Sequence, residues 1–125
     1  MTKTELSSYI TEQYAAHPDF PWMKHPSYAV FRHNDKKWFA LVIDVPKEKL
    51  GVQGDGYLDI VNLKCDPIMI GSLLLEPGFF PAYHMNRENW ISVALDGSVP
   101  EEKLKMLIDI SYDLTDTLKK KNRHR

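Results

Sequence analysis

Tyr28-Ala-Val-Phe-Arg-His-Asn-Asp-Lys-Lys-Trp-Phe-Ala-Leu-Val-Ile-Asp-Val45 is the stretch that decides the fold. Residues 28–33 alternate as a strand, rich in the β-branched and aromatic side chains that fit a pleated surface. Asn34-Asp35-Lys36 supplies turn chemistry, and residues 37–45 follow as a longer strand, so the two read as an antiparallel hairpin. Downstream, Pro46 to Gly56 is polar and carries Gly51, Gly54 and Gly56, which predicts a projecting loop or wing. Tyr57-Leu-Asp-Ile-Val-Asn-Leu-Lys64 then reads as a third strand.

Helices flank this sheet on both sides in sequence. Thr2-Lys-Thr-Glu5 matches a capping box, and Leu6, Tyr9, Ile10 and Tyr14 recur at helical spacing, giving a helix from residue 3 to about 16. Pro18 stops it. The connection Asp19-Phe-Pro-Trp-Met-Lys-His-Pro26 is too apolar for a free linker, and Phe20 and Trp22 are expected to pin it to the core. Asp66-Pro67 starts a short second helix bearing Ile68, Met69, Leu73 and Leu74, closed before Glu76-Pro-Gly78. Trp90 to Leu95 is a strand, Asp96-Gly97 a turn, and Ser98-Val-Pro-Glu101 a second capping box. The last helix places Leu104, Leu107, Ile108, Ser111, Tyr112, Leu114, Thr115 and Leu118 near one side, wide enough to cover a sheet face. The order α-β-β-β-α-β-α, with short turns between strands, predicts an α+β domain: an antiparallel β-sheet packed by helices.

Length and composition agree with one domain over residues 1–125. Apolar residues make up 43% and charged residues 26%, values of an ordinary folded protein. A lone cysteine, Cys65, excludes an internal disulfide framework and suits a reducing compartment. No apolar run reaches the ~18–20 residues of a membrane helix, and Met-Thr-Lys-Thr-Glu5 lacks the apolar core of a secretory signal. A cytoplasmic protein with no membrane contact is expected. The net charge of −1 gives no global footprint for nucleic acid, so any such affinity has to come from a local patch. The obvious basic run is the tail at about 119–125, read first as a solvated terminus and second as a phosphate-attracting arm.

Candidate chemistry is sparse. Cys65, His84, His33, His25, His17 and His124 stand singly, without zinc-site spacing, so no metal is expected. Cys65 precedes a helix start, a place that lowers a thiol pKa, but a free cysteine is usually a small buried hydrophobe. No serine sits in a nucleophile elbow, and the glycines match no phosphate-cradling loop, so neither an enzyme nor a cofactor is expected. Trp22, Trp38 and Trp90 read as core. What remains is Phe80-Pro-Ala-Tyr-His-Met-Asn-Arg-Glu-Asn-Trp-Ile-Ser-Val93, where a polar cluster precedes a strand. His84, Asn86 and Arg87, joined by Lys64, either contact a partner or tie the loop to the core.

Spread in order along nearly the whole chain are Phe20-Pro-Trp22, Ala29-Val-Phe31, Lys37-Trp-Phe-Ala40, Asn62-Leu-Lys-Cys-Asp-Pro67, Tyr83-His-Met-Asn86 with Trp90, Asp96-Gly-Ser-Val-Pro100, and Ser111-Tyr112. In these the chain resembles the YjbR/MmcQ family. The resemblance implies a CyaY-like α+β fold and a DNA-binding function of the double-wing kind. Lys64, His84, Asn86 and Trp90 match the family's motif, and Arg87 keeps the positive charge where the family often has lysine. On this expectation a monomer contacts DNA phosphates through Lys47 and Lys49 of the wing, Lys64, His84, Asn86, Arg87 and the basic tail. The alternative is a small-ligand or protein-binding module without nucleic-acid activity, which would show itself as a concave pocket around His84 and Asn86 with no basic face.

Overall fold

A five-stranded antiparallel sheet forms the centre of the molecule, which a computed structural model describes over residues 1–118. Its strands are β1 (Ala29–Arg32), β2 (Trp38–Pro46), β3 (Tyr57–Lys64), β4 (Phe79–Pro81) and β5 (Trp90–Ala94), in the order β1-β2-β3-β5-β4. The helices are α1 (Lys3–Tyr14), α2 (Pro67–Leu73) and α3 (Glu101–Thr115). The α+β order read from the sequence is therefore kept, with β4 added. Three residues ending in proline carry no readable strand pattern. Proline's missing N–H confines it to a sheet edge, and β4 is such an edge, pairing with β5 alone.

Both faces of the sheet are buried, by different means. One face packs against Leu6 and Ile10 of α1, Ile70 and Leu73 of α2, and Leu104, Leu107 and Ile108 of α3. The other face (Val30, Leu41, Ile43, Val45, Leu58, Ile60 and Ala94) carries no α-helix, and Trp22, Tyr28, Trp38, Leu50, Tyr83 and Met85 are among the side chains that lie over it instead. A bulge divides the two environments. Phe31 pairs with Ala40 and Arg32 with Trp38, so Phe39 has no partner in β1. Phe39 turns into the helix-side core, and Trp38 emerges on the opposite face. Ser111, buried on α3, repairs the ladder at this point. Its hydroxyl donates to the Phe39 carbonyl at 2.6 Å and accepts the Lys64 N–H at 2.8 Å.

The first capping box forms as read: Glu5 N–H donates to Thr2 Oγ1 at 3.2 Å and Thr2 N–H to Glu5 Oε1 at 2.9 Å. Asp66 caps α2, with Pro67 in the first turn. The second capping box does not form. Pro100 occupies the cap position of α3 without a side-chain acceptor, while Ser98 donates its N–H and hydroxyl to Asp96 at 3.0 and 2.5 Å. Other expectations fail by face. α2 buries Ile70 and Leu73 but leaves Ile68 85% exposed, and Leu118 lies beyond the end of α3 and is exposed. Phe20 is exposed as well. The connection is held by Trp22 and by a two-bond bridge between the backbones of Asp19 and Val30. The wing is compact: Lys47–Leu50 makes one 3-10 turn, closed by bonds from Lys47 N–H to Gly56 O and from Val52 N–H to Lys47 O, both 3.0 Å. The basic tail at 119–125 lies outside the described residues. Among the described residues no helix is long and apolar enough to cross a membrane.

Candidate functional site

On the helix-free face, the segment after β4 folds back across the sheet and is fastened there by buried polar groups. Asn62 and Ser92 sit side by side on β3 and β5, both without solvent exposure. Asn62 Nδ2 donates to the Tyr83 carbonyl at 2.8 Å, Tyr83 N–H donates to Ser92 Oγ at 3.0 Å, and Ser92 Oγ donates to Asn62 Oδ1 at 2.5 Å. Two polar side chains inside a sheet are thus satisfied by the backbone of one residue in the overlying loop. The next residue, His84, adopts the left-handed conformation (φ 61°), which side chains other than glycine rarely take. This bend aims the loop toward the 19–28 connection.

Between the two segments lies a cavity of about 290 Å³, lined by Trp22, His25, Tyr28, Trp38, Leu41, Ile43, His84 and Met85. Its aromatic walls stand nearly at right angles. Trp22 meets Trp38 at 5.6 Å and 89°, and Tyr28 at 6.1 Å and 72°. His25 stacks flat on Tyr28 at 4.4 Å, and His84 lies against Tyr83 at 4.0 Å. A more polar cavity of about 390 Å³ adjoins it, sharing His25, Tyr28 and His84 and adding Lys24, Ser27, Asp44, Tyr57 and Tyr83 among its lining. Ser27 donates its hydroxyl to Asp44 at 3.3 Å. Burial, then the Asp44 charge, pushes the Tyr28 phenol above its ordinary pKa of 10.0.

The residues singled out by sequence do not converge. Lys47 and Lys49 belong to the wing, beside the Pro46–Tyr57 end of the β2–β3 pair. Lys64 is at the other end of β3, about 23 Å away along an eight-residue strand. Asn86 is a turn-former: its Oδ1 accepts from Glu88 N–H at 2.8 Å and its carbonyl from Trp90 N–H at 3.0 Å. Arg87 is exposed on the same turn, near the Lys64 end of the sheet. Of the six, His84 alone lines the cavity. Lys47 is partly offset by Asp96: desolvation would raise that carboxyl, but bonds from Ser98, helped by the Lys47 charge, hold it below 3.8. Residues 1–118 contain 11 of the 16 lysines and arginines and all 17 acids, a formal charge of −6.

Trp22, Tyr28 and Trp38 were the residues sequence reasoning missed, because aromatics in a strand or an apolar connection read as core. The available signal was the density of rings between Pro21 and Trp38; the bulge that turns Trp38 outward has no sequence signature. Cys65, by contrast, is buried in the helix-side core, across the sheet from His84, and burial raises its thiol pKa. Among the described residues no three His, Cys, Asp or Glu side chains gather as a metal site would require.

Comparison with known proteins places this architecture. The family model described as YjbR matches residues 11–114. The "Uncharacterized protein YyaQ" of Bacillus subtilis (strain 168) is 41% identical over 116 residues, covering 92% of this chain and 98% of that protein. The "Uncharacterized protein YbdF" of Escherichia coli O157:H7 is 33% identical over 108 residues, covering 83% of this chain and 78% of the relative. Among solved structures, a Pseudomonas syringae protein seen by crystallography superposes with a TM-score of 0.91 at 45% identity, covering 93% of this chain and all of that one (100%). The Deinococcus radiodurans protein DR2400, a DUF419 domain, gives a TM-score of 0.69 at 26% identity, with 97% of this chain and 86% of that one covered.

Proposed function

This chain belongs to the YjbR family, and from that premise we propose that it is a monomeric binding module for a small organic ligand, held in the aromatic cavity on the helix-free face of the sheet. The observation that carries the reading is the preformed cavity itself. An apolar, largely aromatic hollow with a few polar groups at its rim is the usual form of a small-molecule site. Its about 290 Å³, extended by the polar cavity beside it, falls within the ~300–1,000 Å³ range of such sites. One wall is held in place before any ligand arrives, because the Asn62–Ser92 pair anchors the loop that bears His84 and Met85. Preorganisation of this kind lowers the entropic cost of binding. Cys65 takes no part in this site: it lies in the helix-side core, and burial raises its thiol pKa, the opposite of what a thiol nucleophile needs.

The reading is tested by 1H–15N NMR titration of the protein with a library of fragment-sized compounds, following the indole N–H signals of Trp22 and Trp38. Saturable shifts at these two signals, lost in a folded Trp38→Ala variant, support it. A library that shifts neither signal would sink it.

A second reading is contact with DNA phosphates. The five lysines and arginines of residues 119–125 favour it, together with Lys47, Lys49, Lys64 and Arg87. The −6 charge of residues 1–118 opposes it, since a polyanion is repelled by such a surface, and the cations lie at opposite ends of the sheet. Fluorescence anisotropy of labelled duplex DNA at low and moderate salt separates the two. Binding that disappears on truncation after residue 118 would belong to the tail. Salt-dependent binding that survives truncation and falls in a Lys64→Ala, Arg87→Ala variant would restore the phosphate reading for the domain.

A further inference from the structure

We propose that the aromatic cavity selects a methylated ammonium group, acting as a cation cage. The inference rests on the small-ligand reading above and adds the chemical class. Three rings carry it: Trp22, Trp38 and Tyr28 line one cavity, with interplanar angles of 89° and 72° at centroid separations of 5.6 and 6.1 Å. The shape of the walls decides between two kinds of ligand. Parallel rings would leave a slot for a flat aromatic slab. Trp22 packs edge-to-face with both Trp38 and Tyr28, so neither pair offers that slot, and a rounded group resting on the ring surfaces that line the cavity fits better. The face of an aromatic ring carries partial negative charge, strongest for tryptophan, and attracts a cation within about 6 Å of the centroid. A methylated ammonium is the cation that sheds water most cheaply, and Leu41, Ile43 and Met85 supply an apolar floor for its methyl groups.

One acidic group, Asp44, stands beside the cavity. Asp44 lies in the adjoining cavity, where its carboxylate accepts from Ser27 and faces the same space as Tyr28. Lys24, in that cavity too, is exposed. The polar cavity would take the remainder of the ligand, with the phenols of Tyr28, Tyr57 and Tyr83 as hydrogen-bonding groups.

The test compares choline with 3,3-dimethylbutan-1-ol, its neutral isostere of the same shape, by NMR titration at the Trp22 and Trp38 indoles. A cage predicts at least about tenfold tighter binding of choline, the scale of a desolvated cation–π contact. A folded Trp22→Leu variant should lose that preference while the isostere's affinity changes little. Equal binding of the two compounds would overturn the cage and leave the small-ligand reading standing, as would shifts caused only by neutral fragments. Silence toward choline, its isostere and the whole fragment library would overturn both. A short peptide containing trimethyl-lysine, titrated alongside, distinguishes a protein-borne source of the group from a free metabolite by which one binds more tightly.

Discussion

Replacing Ser92 by alanine removes one oxygen from the interior and should cost far more than its size suggests. The Ser92 hydroxyl accepts from Tyr83 N–H at 3.0 Å and donates to Asn62 Oδ1 at 2.5 Å, and Ser92 and Asn62 are fully buried. Alanine leaves a backbone donor and an amide oxygen without partners, and each such loss costs roughly 1–3 kcal/mol. The expected destabilisation is therefore about 2–4 kcal/mol, read as a lower urea midpoint with an unchanged denaturant slope. Because Asn62 and Ser92 serve one network, Asn62→Ala combined with Ser92→Ala should cost less than the two single changes added, by roughly 1–2 kcal/mol. The anchored loop carries His84 and Met85, so Ser92→Ala should also broaden the NMR signals of the cavity lining under conditions where the protein remains folded. A loss below about 0.5 kcal/mol, with additive single changes, would refute the claim that this triad of contacts holds the loop.

Three further outcomes follow from local geometry. Thr2→Ala should destabilise the protein by about 1 kcal/mol in chemical denaturation, since the α1 cap forms in full. Gly78 and Gly97 share a φ of 87°, but a Cβ on Gly78 would lie 2.4 Å from Ser98 Oγ and 2.6 Å from Val99 Cγ2, whereas at Gly97 it meets open space. Gly78→Ala should therefore lower stability by roughly 1–3 kcal/mol more than Gly97→Ala, and equal thermal midpoints would contradict the packing described. Asp96 has a folded pKa below its ordinary 3.8, so the stability it contributes is present above that value and is lost as pH falls through the lower, folded one. Thermal unfolding of wild type and Asp96→Asn should accordingly differ at pH 6 and converge in strong acid.

Several elements were legible because their determinants are local. The capping box at Thr2 and Glu5, the Asp66-Pro67 start and the strand from Tyr57 to Lys64 depend on neighbours within a few residues, and each formed where the sequence placed it. The Ser98–Glu101 box had the right letters, yet Ser98 was claimed by Asp96 and proline took the cap. Spacing alone cannot rank two acceptors for one donor. Ile68 misled for a similar reason: with seven residues in α2, adjacent apolar positions leave the buried side open until the helix docks.

By itself the sequence determined the α+β order, the hairpin, the starts of α1 and α2 and the family, all of which follow from short-range pattern or from motifs in register along the chain. The candidate site was decided by tertiary structure alone. Trp22 and Trp38 are 16 positions apart in sequence, and they become walls of one cavity through the bulge at Phe39 and the bridge from Asp19 to Val30. His84 joins them because Asn62 and Ser92, on different strands, pair with each other and with the backbone of Tyr83. Lys47 and Lys64, both in the predicted binding set, were separated by the length of β3. A strand carries its ends apart while a loop folds back across it, and the distances that make a site exist only after both have happened.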